Sequence, residues 1–145
     1  MNAVPVTILL IEDDPGHARL IEKNVRRAGV SNEIRHVADG TTAMAFLFDR
    51  SEVQKGDPLL VLLDLNLPDM SGTDILARIK ADPALKRTPV IVLTTTDDKL
   101  EIERCYDLGC NVYITKPVEY ENFSAAIRQL GLFLTVMQMP EVPVL

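Results

Sequence analysis

Five polar residues of this chain stand where an apolar run ends, and that placement gives them a chemistry. Glu12 and Asp13 follow Ile8 to Ile11, Asp64 follows Leu60 to Leu63, Thr94 follows Val90 to Leu93, and Lys116 follows Asn111 to Thr115. Any one of them alone reads as a solvated loop residue. If the runs are parallel strands of one sheet, however, their ends share an edge, and residues far apart in the chain converge there. Clustered carboxylates repel one another unless a cation sits between them. Hard oxygen ligands with no His or Cys among them favour Mg²⁺, which keeps several waters and accepts one or two carboxylates plus a phosphate. Asp13 and Asp64 are expected to bind it directly and Glu12 through water. The backbone carbonyl of Asn66, in the turn after Asp64, would complete the protein side.

The elements that must position these groups follow from the hydrophobic period. Ile8 to Ile11, Leu60 to Leu63 and Val90 to Leu93 are nearly unbroken aliphatic runs, as strands buried on both faces should be. Glu33 to Val37 is half polar and Asn111 to Thr115 alternates, so both read as edge strands. Helix signals separate the runs. Asp14 caps a helix with Pro15 at its first position, and Gly29 stops it after Val25 and Ala28. A second helix opens at Asp39 and Gly40 and runs to about Asp49, followed by a polar loop over 51–58. The third spans roughly Thr73 to Lys80 and closes at Asp82 and Pro83; the fourth spans about Asp98 to Leu108, with Gly109 as its stop. The last begins near Glu119 and carries Tyr120, Phe123, Ile127, Leu130 and Leu134 at core spacing. Alternating strands and helices imply right-handed crossovers. The predicted fold is α/β and flavodoxin-like: a doubly wound (βα)5 parallel sheet of five strands in the order 2-1-3-4-5.

Composition narrows the function classes. The chain has 145 residues, enough for one compact domain, and a formal charge of −6 that argues against direct nucleic-acid binding. The start has no basic region or small-residue cleavage site and is not expected to be a secretory leader, and no apolar run approaches membrane-spanning length. Cys105 and Cys110 lack metal-type spacing and read as buried free thiols of a reducing cytoplasm.

In that order, IEDDP, DLNLPDMSG, VIVLTTTDD and YITKPV resemble the receiver domain of two-component response regulators, over roughly residues 6 to 130. The resemblance implies that Asp64 accepts a phosphoryl group from a sensor histidine kinase. It makes Glu12 and Asp13 the acidic pair that holds Mg²⁺, Thr94 the switch hydroxyl and Lys116 the lysine that pairs with a phosphoryl oxygen. Pro117 follows that lysine as in the family, where the Lys–Pro bond is commonly cis. Tyr113 stands where the family places an aromatic rotamer switch; a half-buried edge-strand tyrosine is the plain alternative. Phosphorylation would add nearly two negative charges and bias the surface of helix four, strand five and helix five. Such a protein is a switch and not an enzyme, reset by slow self-dephosphorylation.

Residues 1–131 are expected to form this receiver and 132–145 a C-terminal extension. There Phe133, Val136 and Met139 add apolar residues off the stripe of Leu130, Leu134 and Met137, which points to a homodimer contact. No further domain follows, so a stand-alone regulator is expected. The loop before strand three, the segment from Cys110 to Val118 and the apolar tail are most similar to regulators of bacterial and cyanobacterial phytochrome kinases; another sensor kinase is the alternative. Rival classes fit less well. A flavin phosphate would meet Glu12, Asp13 and Asp14, and a haloacid-dehalogenase-type phosphatase would need an acid where Asn66 stands. A pseudo-receiver interaction module would not need the intact set of Glu12, Asp13, Asp64, Thr94 and Lys116.

Overall fold

The computed structural model describes residues 6–49 and 58–136. Five strands alternate with five helices: β1 (Thr7–Ile11), α1 (Pro15–Arg27), β2 (Ile34–Val37), α2 (Gly40–Asp49), β3 (Leu59–Leu63), α3 (Gly72–Ala81), β4 (Val90–Thr94), α4 (Lys99–Leu108), β5 (Val112–Thr115) and α5 (Tyr120–Val136). All strand pairs are parallel and the sheet order is β2-β1-β3-β4-β5, as the hydrophobic pattern predicts. Every residue of β1, β3 and β4 is buried, because helices cover both faces of the centre. The mixed residues of β2 and β5 suit the two edges.

Strand alternation divides the apolar residues between two cores. Leu9, Ile11, Val61, Leu63 and Val92 face Phe46, Leu47, Ile75, Leu76 and Ile79 on one side. Ile8, Leu10, Leu60, Leu62 and Leu93 face Ile21, Val25, Phe123, Ile127 and Leu130 of α1 and α5 on the other. Within α5 one expectation fails: Tyr120 is 66% exposed. It is the first residue of the helix and stands over α1 beside Arg19 and Lys23, ahead of the turns that reach the core. Helix α4 starts at Lys99, one residue later than expected, because Asp98 is its cap and accepts from the Leu100 amide at 3.1 Å. The segment 51–57 and the tail beyond 136 lie outside the described residues, as do the side chains of Phe133 and Val136. Within the expected extension, Leu132 is exposed and Leu134 packs partly against the α1–α5 core.

Helix α2 is capped from a distance. Asp39 accepts from the Thr42 amide at 2.7 Å, as a local cap should. The first turn is also held by Asp69, from the loop between β3 and α3. Its Oδ1 accepts from the Gly40 amide at 2.7 Å, and its Oδ2 from the Thr41 amide at 2.8 Å and hydroxyl at 2.6 Å. The Thr41 hydroxyl, then the Gly40 and Thr41 amides, hold its carboxyl down at about 2 from an ordinary 3.8. A depressed carboxyl contributes stability above its unfolded value and loses it as pH falls through the folded one. Asp69→Ala is therefore expected to lower the melting temperature at neutral pH. The gap to wild type should close as pH falls from about 4 towards about 2, in melts followed by circular dichroism. A gap independent of pH would contradict the cap.

Candidate functional site

The sheet edge is built by continuing the strand ladders past the last apolar residue. Glu12 donates its amide to Val37 O at 3.0 Å, and Asp64 donates its own to Ile11 O at 3.0 Å. Lys116 donates its amide to Thr94 O at 2.6 Å. Each polar side chain thus leaves a backbone that is already fixed. At the β1 end, the His36 ring nitrogen also bonds the Glu12 carbonyl at 2.7 Å.

The geometry centres on Asp64, whose residue surface is 6% exposed. Its Oδ1 accepts from the Thr94 hydroxyl at 2.8 Å and from the Asn66 amide at 3.1 Å. Its Oδ2 accepts from Lys116 Nζ at 3.1 Å. The same ammonium makes a very short contact with Glu12 Oε1, so it bridges two buried carboxylates. Asp13 is exposed, yet it can bring an oxygen close to the others. One oxygen from each of Glu12, Asp13 and Asp64 lies within 4.8 Å of the other two. The predicted convergence of Glu12, Asp13, Asp64, Thr94 and Lys116 is therefore what the fold produces.

Two features around Asp64 depend on small or polar neighbours. Gly72 opens α3 directly beneath it: an added Cβ would stand 2.6 Å from both Asp64 O and Leu65 Cα. The Asn66 side-chain amide lies 3.4 Å from the hydroxyls of Thr94, Thr95 and Thr96, spanning the mouth of the site.

Charge is unbalanced in this cluster. Burial first, then the hydrogen bond and charge of Asp64, push the Glu12 carboxyl up to about 8, against the pull of Lys116. Burial would raise Asp64 too. Hydrogen bonds from Glu12, the Asn66 amide and Thr94, with the charge of Lys116, outweigh it and leave Asp64 below its ordinary value. The two carboxyls titrate as a coupled unit, with Glu12 displaced upward and Asp64 downward. Three clustered carboxylates facing one ammonium offer hard oxygen donors and an excess of negative charge. That donor set fits Mg²⁺ or Mn²⁺ and has no soft ligand.

Other expected residues fall nearby. Tyr113 is half-buried, and its hydroxyl donates to Thr96 O at 2.5 Å, in the loop that follows β4. Its amide, on the open side of edge strand β5, donates to the Tyr106 hydroxyl at 3.1 Å. Pro117 follows Lys116 through a trans bond, which corrects the cis expectation: no cis peptide occurs among the described residues. The family habit, not any neighbour of Pro117 in this sequence, was the basis of that expectation. A residue that sequence reasoning missed is His17, whose Nδ1 stands 3.0 Å from Lys116 Nζ. Its position one turn into α1 after Asp14 offered the only signal.

Known proteins resemble this chain in sequence and fold. A family model described as "Response regulator receiver domain" matches residues 8–128. Response regulator Rcp1 of Synechocystis is 42% identical over 113 residues, covering 77% of each chain. The crystal structure of its Mn(2+)-bound form superposes with a TM-score of 0.85 at 35% identity, over 94% of this chain and 99% of that one. A receiver domain from Rhodospirillum rubrum gives 0.89 at 65% identity, covering 94% and 98%. The phosphorylated cyanobacterial phytochrome response regulator RcpA gives 0.85 at 38% identity, covering 96% and 99%.

Proposed function

This chain belongs to the response regulator receiver family, and from that premise we propose that Asp64 accepts a phosphoryl group from the phosphohistidine of a sensor histidine kinase. One observation carries the reading: both oxygens of a single buried carboxylate are held, one by the Thr94 hydroxyl and one by the Lys116 ammonium. A carboxylate oxygen of Asp64 attacks phosphorus in line; the P–N bond breaks and its electron pair returns to the imidazole. Lys116, itself buried, offsets charge on the transferring oxygens, where the interaction is stronger than in bulk water. Bound Mg²⁺ would supply further charge neutralisation, held by Asp13 and Asp64, with Glu12 through water and the Asn66 carbonyl. Once Asp64 is an acyl phosphate, the Thr94 hydroxyl turns to a phosphoryl oxygen. Tyr113, tied to Thr96 in the adjoining loop, follows and changes the α4–β5–α5 face. Attack of water on the acyl phosphate resets the switch.

The likeness to Rcp1 and RcpA supports a phytochrome-type kinase as the donor. The apolar extension, residues 132–145, supports a homodimer. Free, buried Cys105 and Cys110 suit a reducing cytoplasm. Among the described residues, no helix is long and apolar enough to cross a membrane.

The test is incubation with acetyl phosphate, followed by intact mass spectrometry. The protein is expected to gain one phosphoryl group in the presence of Mg²⁺ and none when the metal is chelated. No uptake with Mg²⁺ would overturn the reading. Phosphotransfer against a panel of kinases addresses the donor, where a strong kinetic preference for a non-phytochrome kinase would refute that part. Sedimentation showing only monomer would refute the dimer.

A further inference from the structure

The Lys116 ammonium has a third partner that the phosphoacceptor reading does not use. Besides Glu12 and Asp64, its Nζ stands 3.0 Å from His17 Nδ1. An ammonium carries three N–H donors and no acceptor. The imidazole must therefore accept through an unprotonated Nδ1 and carry its hydrogen on Nε2. The other side of the ring agrees, since Nε2 lies 3.9 Å from the Asp14 carboxylate.

The ring is held independently of the lysine. Asp14 Oδ1, the cap of α1, accepts from the His17 amide at 3.1 Å. Phe123 of α5 packs against the imidazole with 5.4 Å between centroids, and its own ring stands 6.0 Å from Nζ. Lys116 is 4% exposed, so each of its donors needs a protein partner. Two of those partners, Glu12 and Asp64, are carboxylates that compete with an arriving phosphoryl group for the ammonium. His17 in this tautomer is a neutral acceptor and does not compete.

Taking Asp64 as the phosphoacceptor, we propose that His17 is a positioning residue that keeps the Lys116 ammonium in place while it exchanges a carboxylate for a phosphoryl oxygen. Without this bond one buried donor is unsatisfied, and the lysine is drawn towards Glu12.

Three proteins test it: wild type, His17→Leu and His17→Asn, whose Oδ1 can take the place of Nδ1. Rates of phosphoryl gain from acetyl phosphate with saturating Mg²⁺ are read by mass spectrometry. His17→Leu is expected to be slower by about tenfold, the scale of one charge-assisted hydrogen bond, and His17→Asn to regain most of the rate. In addition, ¹⁵N NMR of the metal-free wild-type protein should show His17 with Nδ1 unprotonated and Nε2 protonated. A leucine variant as fast as wild type would overturn the inference while leaving the phosphoacceptor reading intact. Equal impairment in both variants would overturn it as well, by assigning the effect to ring packing on Phe123, and so would an Nδ1–H tautomer. If wild type itself gains no phosphoryl group, both readings fall together.

Discussion

Asp64→Asn is expected to gain no phosphoryl group under conditions that fully phosphorylate the wild-type protein, and yet to fold. An amide offers no anionic oxygen to attack phosphorus, while its carbonyl can still accept from Thr94, 2.8 Å from Asp64 Oδ1 in the wild type. Intact mass after acetyl phosphate and Mg²⁺ measures the loss; retained phosphate would remove Asp64 from its role. The substitution should also change how stability depends on pH. Burial first, and Asp64 second, raise the Glu12 carboxyl from 4.5 to about 8. A raised carboxyl contributes stability fully present below its unfolded value and lost as pH rises through the folded one. The metal-free wild type should therefore lose stability between about 4.5 and about 8. With Asp64 neutral, Glu12 moves down and that loss shrinks. The opposite term, from the lowered Asp64, is confined to acid pH and vanishes with the side chain. Urea titrations across the neutral range read the difference, and a steeper loss in the variant would contradict the coupling of Glu12 to Asp64.

Gly72→Ala is expected to be among the most destabilising single methyl additions in the protein. The new Cβ would meet Asp64 O and Leu65 Cα, both at 2.6 Å and both backbone. No rotamer can relieve that contact, so either α3 or the end of β3 must move. Overpacking of a well-filled site costs about 1–3 kcal/mol, and a backbone clash belongs at the upper end. The urea midpoint should fall with an unchanged slope. Because the displaced segment carries Asp64, phosphorylation should slow in the same variant. Gly16 is the control: its added Cβ would meet the Asp14 side chain at 3.2 Å, on an exposed turn. Helix propensity favours alanine at both positions, so similar losses at the two glycines would mean that proximity to Asp64 does not set the cost.

Why so much of this was legible follows from the sheet. Short unbroken aliphatic runs such as Leu59–Leu63 read as central strands, and a parallel sheet sends all their ends to one edge. Knowing that Glu12, Asp64 and Thr94 end such runs and that Lys116 ends the alternating edge strand is then enough to assemble the site. What failed depends on contacts between elements, which no local period encodes. Asp69 caps α2 from a loop 29 positions away from Gly40. Glu12 also pairs directly with Lys116, 104 positions on, a contact that no local spacing shows. His17 meets that lysine only because α1 and α5 pack side by side around Phe123. Tyr120 fits the stripe of Ile127 and Leu130 by spacing, but a helix's first turn can overhang the neighbour that its later turns bury.

The sheet also acts as a partition. Among the described residues, apolar side chains above and below it belong to separate groups, and α1 and α5 share no buried residue with α2, α3 and α4. Changes made on the two sides should therefore add rather than interact, as expected for sites without shared neighbours. A lineage could then redesign one side to fit a new protein while leaving the packing of the other, and the chemistry at the rim between them, untouched.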